Sequence, residues 1–276
     1  MRRAGEIVTG KFVYSLVASA GLPPKDVQDL RLTVLDNACG SGVVTAVMLE
    51  KMTAEQRNRA RVTCGDVQQT LIDYVRARGE KEDWEGVETL LVDAQDTKLP
   101  SSHYTHVLTS FALMLVPKPL SALQEIHRLL LPGGVNGFTT WNHVGWIPLV
   151  QRAFTAIPGI PPFPSEDKYK DFMGTGRWDL PAFIKQQVEA QGFVDVKIDR
   201  VSADSDIPSP EEFVKRFGHM FVGLTTRWFT EEQKKADWPE KIKETLLKQL
   251  QEEYGVGKPW KMPMTANVVT CRKPAS

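Results

Sequence analysis

Apolar positions recur at helical spacing from Gly5 to Ala20, with Ile7, Phe12, Val13, Leu16 and Val17 on one face, and Gly21-Leu22-Pro23-Pro24 ends the pattern. From Leu32 the pattern changes to short apolar runs alternating with amphipathic stretches. Leu32 to Leu35, Ala60 to Cys64, Thr89 to Val92, His106 to Ser110 and Val135 to Trp141 predict five strands. Helices are predicted between them over Val43 to Met52, Gln69 to Arg78 and Ser121 to Leu130, the last stopped by Pro132-Gly133-Gly134. A strand–helix unit of about 30 residues is the length of a βαβ crossover, so a parallel sheet with helices on both faces follows. A further helix, Leu180 to Gln191, turns at Gly192-Phe193 into a sixth strand, Val194 to Val201, and Ala266 to Arg272 forms a seventh.

Two segments interrupt the alternation. Pro158-Gly159-Ile160-Pro161-Pro162-Phe163-Pro164 is too rich in proline for a helix or a central strand and reads as a stiff surface loop. Between the last two strands lies a helical pair. Ser209-Pro210-Glu211-Glu212 aligns a capping serine, a first-turn proline and a capping-box glutamate, and Phe213, Phe217, Phe221 and Leu224 follow on one face. Thr230-Glu231-Glu232-Gln233 is a second capping box, expected to open a helix that buries Trp238, Ile242, Leu246 and Leu250. The whole chain, 1–276, is expected to form one domain, with a helical segment at 1–30 and insertions at 142–179 and 203–263 that cover a substrate.

Composition narrows the function classes. The 276 residues hold 34 basic and 34 acidic side chains, so no overall field draws nucleic acid or an anionic membrane. No apolar run approaches the ~18 residues that cross a bilayer, and the first residues do not form a signal-peptide core, so the expected setting is cytoplasmic. The expected partner is a small molecule, with the protein a monomer or homodimer. Cys39, Cys64 and Cys271 are far apart in sequence and read as buried thiols rather than a disulfide or metal site.

The chemistry concentrates where strands end. Val34-Leu35-Asp36-Asn37-Ala38-Cys39-Gly40-Ser41-Gly42 carries an apolar strand into an acid and then into two glycines at the mouth of a helix. Such turns usually offer backbone N–H groups to an anion. Asp36 would repel a phosphate there and attract an ammonium group. The dinucleotide pattern G-x-G-x-x-G fails at Thr45, and no Gly-Lys-Ser/Thr follows to make a phosphate loop. Asp66, Asp93 and Ser110 occupy the ends of the next three strands, the edge of an open α/β sheet where ligands bind. Asp66 lies about 24 residues past Gly42, near the ~20-residue offset at which an acid meets ribose hydroxyls.

These segments resemble class I S-adenosylmethionine (SAM) dependent methyltransferases, through hydrophobic-x-Asp-x-Ala-x-Gly-x-Gly at the first turn, Leu91 to Pro100, Leu108 to Leu113 and Leu130 to Gly134. The relatives evoked are ubiquinone C-methyltransferases and, through Thr139 to Trp146, fungal secondary-metabolite methyltransferases, including gliotoxin-type thiol methyltransferases. The resemblance implies a Rossmann-like, doubly wound, seven-stranded α/β sheet, mostly parallel with an antiparallel last strand, and a helical lid insertion. It also implies SAM as cofactor, S-adenosylhomocysteine as product, and a set of residues that hold SAM: Asp36, Ala38, Gly40, Gly42, Asp66, Val67, Asp93, Ala94, Ser110 and Phe111. Asp36 would serve the ammonium, Asp66 the ribose and Asp93 the adenine amino group. Relatives often carry a further helix ahead of the segment matching 5–20, which leaves open what covers the cofactor here. Where relatives often have a histidine after the fourth strand, this sequence has Met114.

Methyl transfer to such an acceptor is an in-line displacement that needs no protein nucleophile, only orientation, a dry site and, for some acceptors, a base. His143 is the first candidate base and His219 the second, with Tyr169 as an orienting hydroxyl. Trp141, Trp146, Phe163, Phe217 and Phe221 are candidates for an apolar acceptor pocket. The fourth-strand segment lacks both the Asn/Asp-Pro-Pro-Tyr/Phe signature of nucleic-acid amino methylation and the ligands of magnesium-dependent catechol enzymes, so no metal is inferred. Three other classes remain: a protein of this fold that binds SAM without transferring methyl, as in a rearrangement; an NAD-dependent oxidoreductase, opposed by Asp36 and Thr45; and a non-catalytic partner subunit.

Overall fold

The computed structural model describes residues 4–24, 32–165 and 175–276. Helix α1 (Ala4–Ser19) precedes β1 (Thr33–Asn37), followed by α2 (Val43–Lys51), α3 (Ala54–Arg59), β2 (Arg61–Asp66), α4 (Gln69–Lys81), β3 (Val87–Leu91) and β4 (Tyr104–Ser110). Then come α5 (Pro119–Leu129), β5 (Leu130–Val144), α6 (Trp146–Ala156), α7 (Pro181–Ala190), β6 (Val194–Ile207), α8 (Pro210–Thr225), α9 (Trp238–Tyr254) and β7 (Trp260–Arg272). The seven strands form one sheet in the order β3-β2-β1-β4-β5-β7-β6. β7 runs antiparallel to both β5 and β6, and the pairs from β3 to β5 are parallel, as the sequence led us to expect. Strand order reverses between β1 and β4, the switch point at which such sheets open a ligand crevice.

Apolar side chains cover the sheet on both faces, which is why its central strands read as continuous apolar runs. On one face Val13, Leu16 and Val17 of α1 and Val44 and Met48 of α2 pack over Val34, Val62 and Cys64. On the other, Leu123 and Ile126 of α5 and Ile184 and Val188 of α7 share a core with Leu35, Val107 and Phe138. That core continues into the inserted helices through Val150 and Phe154 of α6, Phe213 of α8, and Ile242, Leu246 and Leu250 of α9.

Several boundaries differ from the expectation, each for a local reason. Pro132-Gly133-Gly134 does not separate α5 from β5; the strand starts at Leu130, and the Pro-Gly-Gly is looped out where the register passes from Tyr104↔Leu130 to His106↔Val135. β6 and β7 outrun their apolar patterns and, beyond the last β5 pair at Val144↔Met264, continue as a two-stranded ribbon, Asp204 to Ile207 pairing with Pro263 to Trp260, in which exposed Asp204 and Asp206 alternate with buried Ser205 and Ile207. The Thr230–Gln233 capping box forms, but only a short 3-10 turn follows, and α9 begins at Trp238, with Pro239 in its first turn. A capping box at Thr53–Gln56 opens α3, which the apolar pattern did not reveal because none of its residues is buried.

The end of β5 passes so close to β7 that a Cβ on Gly145 would stand 2.3 Å from the Pro263 carbonyl oxygen, whereas one on Gly137 would meet side-chain ends of Leu108 at 2.7 Å and Leu16 at 3.2 Å. Backbone yields less readily than a leucine methyl. Gly145→Ala is therefore expected to cost about 1–3 kcal/mol and to exceed the cost of Gly137→Ala. Urea unfolding midpoints measure both, and equal losses would contradict the backbone contact.

Candidate active site

β1 runs out at Asn37, and the chain reverses into α2 through residues in the left-handed region: Ala38 at φ 52°, Gly40 at 57° and Gly42 at 74°. A side chain on Gly40 would meet open space, so backbone conformation alone demands glycine there. Gly42 is constrained twice, since a Cβ would also press on Trp84 and Val75 at 3.3 Å.

Acidic side chains hold this turn. Asp66, at the end of β2, accepts the Gly40 N–H at 3.0 Å on one oxygen and the Gln68 N–H at 2.9 Å on the other. Asp36 faces the first turn of α2 and accepts both the Thr45 N–H, at 3.1 Å, and the Thr45 hydroxyl, at 2.8 Å, on one oxygen. Its other oxygen is buried and has no hydrogen-bond partner. Burial pushes the Asp36 carboxyl up from 3.8 to about 7, against the two Thr45 bonds, and the Asp66 charge adds to the rise. Cys39 and Cys64 lie side by side beneath the turn. Their mutual hydrogen bond and burial raise the Cys39 thiol far above its ordinary range, so it stays protonated and is no nucleophile.

The next strand ends complete the crevice. Val67 follows Asp66 and is 65 % exposed, an apolar surface facing no core. Asp93 is exposed, with one oxygen accepting the Gln95 N–H at 2.9 Å, and Ala94 behind it is buried. This loop is pinned from α5: Glu125 accepts the Thr97 N–H at 2.9 Å and the Thr97 hydroxyl, while Arg128 bonds Glu125 and the Leu99 carbonyl, each at 2.8 Å. Burial alone would raise the Glu125 carboxyl, but the bonds from Arg128 and Thr97 outweigh it and hold Glu125 below its usual value. At the end of β4, Ser110 bonds the Thr139 hydroxyl at 3.3 Å, and Phe111 takes φ 52° with its N–H donated to the same hydroxyl at 3.0 Å. That backbone, unfavourable for a bulky residue, aims the Phe111 ring onto Trp141, with centroids 3.9 Å apart. Phe12 of α1 meets both rings edge-on, at 5.8 and 5.5 Å.

The residues expected to hold SAM thus converge on one edge of the sheet, although Asp36 lies below the turn rather than in it. The donor set fits that group. An unpartnered carboxylate oxygen suits a nearby ammonium, the open space at Gly40 admits close approach to backbone, and exposed Val67 offers an apolar face beside an acid. Each Asp66 oxygen retains a lone pair beyond the amide it accepts.

The acceptor-side residues are more dispersed. His143 lies within β5, opposite Thr265, rather than after the strand, and is exposed; His219 on α8 is exposed as well. Tyr169 falls outside the described residues, as do the side chains of Phe221 and Leu224. Trp141 joins the Phe12–Phe111 group, and Trp146 is buried at the start of α6. Phe163 meets Phe154, and Phe217 lies beside Phe213, which meets Trp260. Phe12, expected on a core-facing helix stripe, is fully buried. Sequence reasoning missed Thr45, Thr139 and Glu125, which act through bonds to residues in other elements. Thr45 carried a signal, since a hydroxyl three residues past the second glycine can reach back to the acid. Among the described residues, no cluster of three or more His, Cys, Asp or Glu is arranged to hold a metal ion, and no helix is long and apolar enough to cross a membrane.

Residues 34–134 match the family described as methyltransferase domain. The chain is 30 % identical to methyltransferase tpcH of Aspergillus fumigatus over 98 % of its own length and 94 % of the relative's. It is 30 % identical to the acetylaranotin bis-thiomethyltransferase of Aspergillus terreus, over 99 % and 93 %. Among solved structures, the phosphoethanolamine N-methyltransferase 2 of Haemonchus contortus in complex with S-adenosyl-L-methionine superposes with a TM-score of 0.56 at 14 % identity, covering 96 % of this chain and 52 % of that one, a likeness of fold.

Asp36 makes the ligand-free protein pH-sensitive in a definite direction. Its folded value, about 7, lies above the ordinary 3.8, so between these the folded form retains a proton that the unfolded form has lost. Its contribution to stability is complete below about pH 4 and is lost as pH rises through about 7. Asp36→Asn keeps an acceptor for Thr45 and cannot ionise. It is expected to stabilise the ligand-free protein at pH 8 by roughly 2 kcal/mol relative to wild type and to flatten the loss between pH 4 and 8. Urea denaturation at both pH values reads this; an unchanged pH slope in the variant would acquit Asp36.

Proposed function

The chain belongs to the methyltransferase-domain family, as a SAM-dependent enzyme acting on a small molecule, and we propose that it methylates a thiol or phenol on a largely apolar metabolite. One observation carries this reading. The Phe12–Phe111–Trp141 group stands at the end of β4, the strand paired with β1 across the switch point, with Phe12 and Phe111 buried and Trp141 partly exposed as the apolar face the group presents. An apolar ring seated there would be screened from water on the side where charge disperses. The thiol choice draws support from the thiomethylating relative.

When bound, SAM supplies an electrophilic methyl group on a sulfonium. The chain's own residues do the remaining work. Gly40 and Gly42 let the backbone come close, Asp66 offers oxygen acceptors to the ribose hydroxyls and Asp93 to the adenine amino group, and Asp36 supplies negative charge beneath the ammonium. Ala38, Val67, Ala94, Ser110 and Phe111 shape the remainder of that pocket. His143, two residues beyond Trp141 on β5 and open to solvent, takes the acceptor's proton and passes it to water. Segments 142–179 and 203–263, within a single domain, cover the acceptor, with Trp146, Phe163 and Phe217 on its apolar side. His219, on an exposed position of α8, is the alternative base.

Incubation with trideuteromethyl SAM and a panel of thiols, phenols, amines and carboxylic acids, followed by mass spectrometry, tests the acceptor class. Label on sulfur or oxygen is expected; label confined to amines would refute the proposal. His143→Ala should lower kcat about 100-fold at a pH below the acceptor's own pKa, with the deficit shrinking above it and the KM for SAM unchanged. Turnover equal to wild type at every pH would remove His143 from the mechanism.

A further inference from the structure

The glycine turn is gripped from behind as well as from the strand ends. Ser41, between the two glycines, accepts a hydrogen bond on its carbonyl oxygen from Arg78 Nη1 at 2.9 Å. Arg78, on the last turn of α4, is 16 % exposed, and its Nε bonds Glu82 at 2.9 Å. Its guanidinium carbon stands 5.2 Å from the centre of the Trp84 ring. The same ring lies against Gly42, where a Cβ would touch it at 3.3 Å, and against Gly79, where one would touch it at 3.5 Å, and the backbone N–H of Trp84 donates to the Gly79 carbonyl at 2.9 Å.

Arginine and tryptophan thus hold each other while each holds one of two adjacent turn residues. Both line an outer cleft with Tyr14, Glu50 and Tyr74, away from the strand ends. A mostly buried bond from a charged donor is stronger than one between neutral groups, enough to bias which shape a short turn keeps. The three contacts together also distinguish arginine from lysine, whose compact ammonium cannot meet the Ser41 carbonyl, Glu82 and the indole at once.

We propose that Arg78 and Trp84 are positioning residues that set the glycine turn from beneath and thereby tune cofactor affinity without touching the cofactor; the inference rests on the methyltransferase reading. The pair acts on the ligand only through the Ser41 carbonyl and the Gly42 backbone. Its effect belongs to cofactor binding and not to the acceptor.

Wild type, R78K, R78M and W84F are compared by calorimetric S-adenosylhomocysteine binding, amide hydrogen exchange over residues 39–44, melting temperature and steady-state kinetics. R78M is expected to weaken S-adenosylhomocysteine about tenfold and to speed exchange at the turn. Acceptor KM and kcat at saturating SAM should stay within about twofold of wild type, since uniform cofactor binding is what is lost. R78K should recover part of the affinity, and W84F should shift affinity and exchange in the same direction by less. A fall in melting temperature with unchanged affinity and turn exchange in both R78M and W84F would overturn the proposal. If R78M does not fold, R78K and W84F with wild-type affinity and exchange would overturn it equally. A wild-type protein that fails to bind S-adenosylhomocysteine would overturn the cofactor reading itself, and this inference with it.

Discussion

Backbone amides in a tight turn must be paired, and the turn from β1 to α2 pairs its own with two backbone carbonyls, Cys39 to Gly65 and Gly42 to Cys39, and with the Asp66 carboxylate at Gly40, while Asp36 takes the Thr45 amide of the helix it opens. The Asp66–Gly40 and Asp36–Thr45 bonds fix its shape while leaving its outer surface open. The arrangement brings two acids near each other in a poorly hydrated place, and their repulsion contributes to the raised Asp36 value. Stability of the turn and excess negative charge therefore come from the same groups. A cationic ligand relieves what the turn's own geometry creates.

The remaining loops at this edge follow a related logic: each is held by a side chain from an element behind it. Glu125 and Arg128 fasten the loop after Asp93, and Thr139 of β5 fastens the start of the loop after β4. The loop at 175–180 is tied to β5 and β7 through buried amides and hydroxyls, with Asn267 donating to the Asp179 carbonyl at 3.1 Å and Thr140 to that of Trp178 at 2.7 Å. Ligand-facing segments are thereby ordered by partners that a ligand need not displace, which lowers the entropy lost on binding.

How much of this the sequence disclosed depends on whether a feature is local. The strand-to-turn motif, the acids at successive strand ends and the α8 cap are written in adjacent residues, and all were legible. So was the class of sheet, mostly parallel with helices on both faces, because the length of the strand–helix units admits little else; the order of the strands came from the structure. The far ends of β6 and β7 were not, because Asp204, Ser205 and Asp206 are all polar, although Ser205 and Ile207 turn to a buried face and only the aspartates to solvent. At Phe12 the stripe of apolar residues disclosed the burial, but not that its partners would be Phe111 and Trp141. Glu125 and Thr97, 28 residues apart, carry no pattern at all that would connect them.

The ribbon formed by β6 and β7 has a consequence for how such a protein diversifies. Ile207 and Trp260 are register partners, so the helical excursion between them leaves and re-enters the sheet at one rung of a ladder. Its two ends are joined by strand pairing whatever lies between. Changes to the intervening helices that keep their share of the core, through Phe213, Ile242, Leu246 and Leu250, leave the order and spacing of the strands that carry the glycine turn untouched. Variation is thereby channelled into a stretch bounded by one fixed rung, far along the chain from the turn it spares.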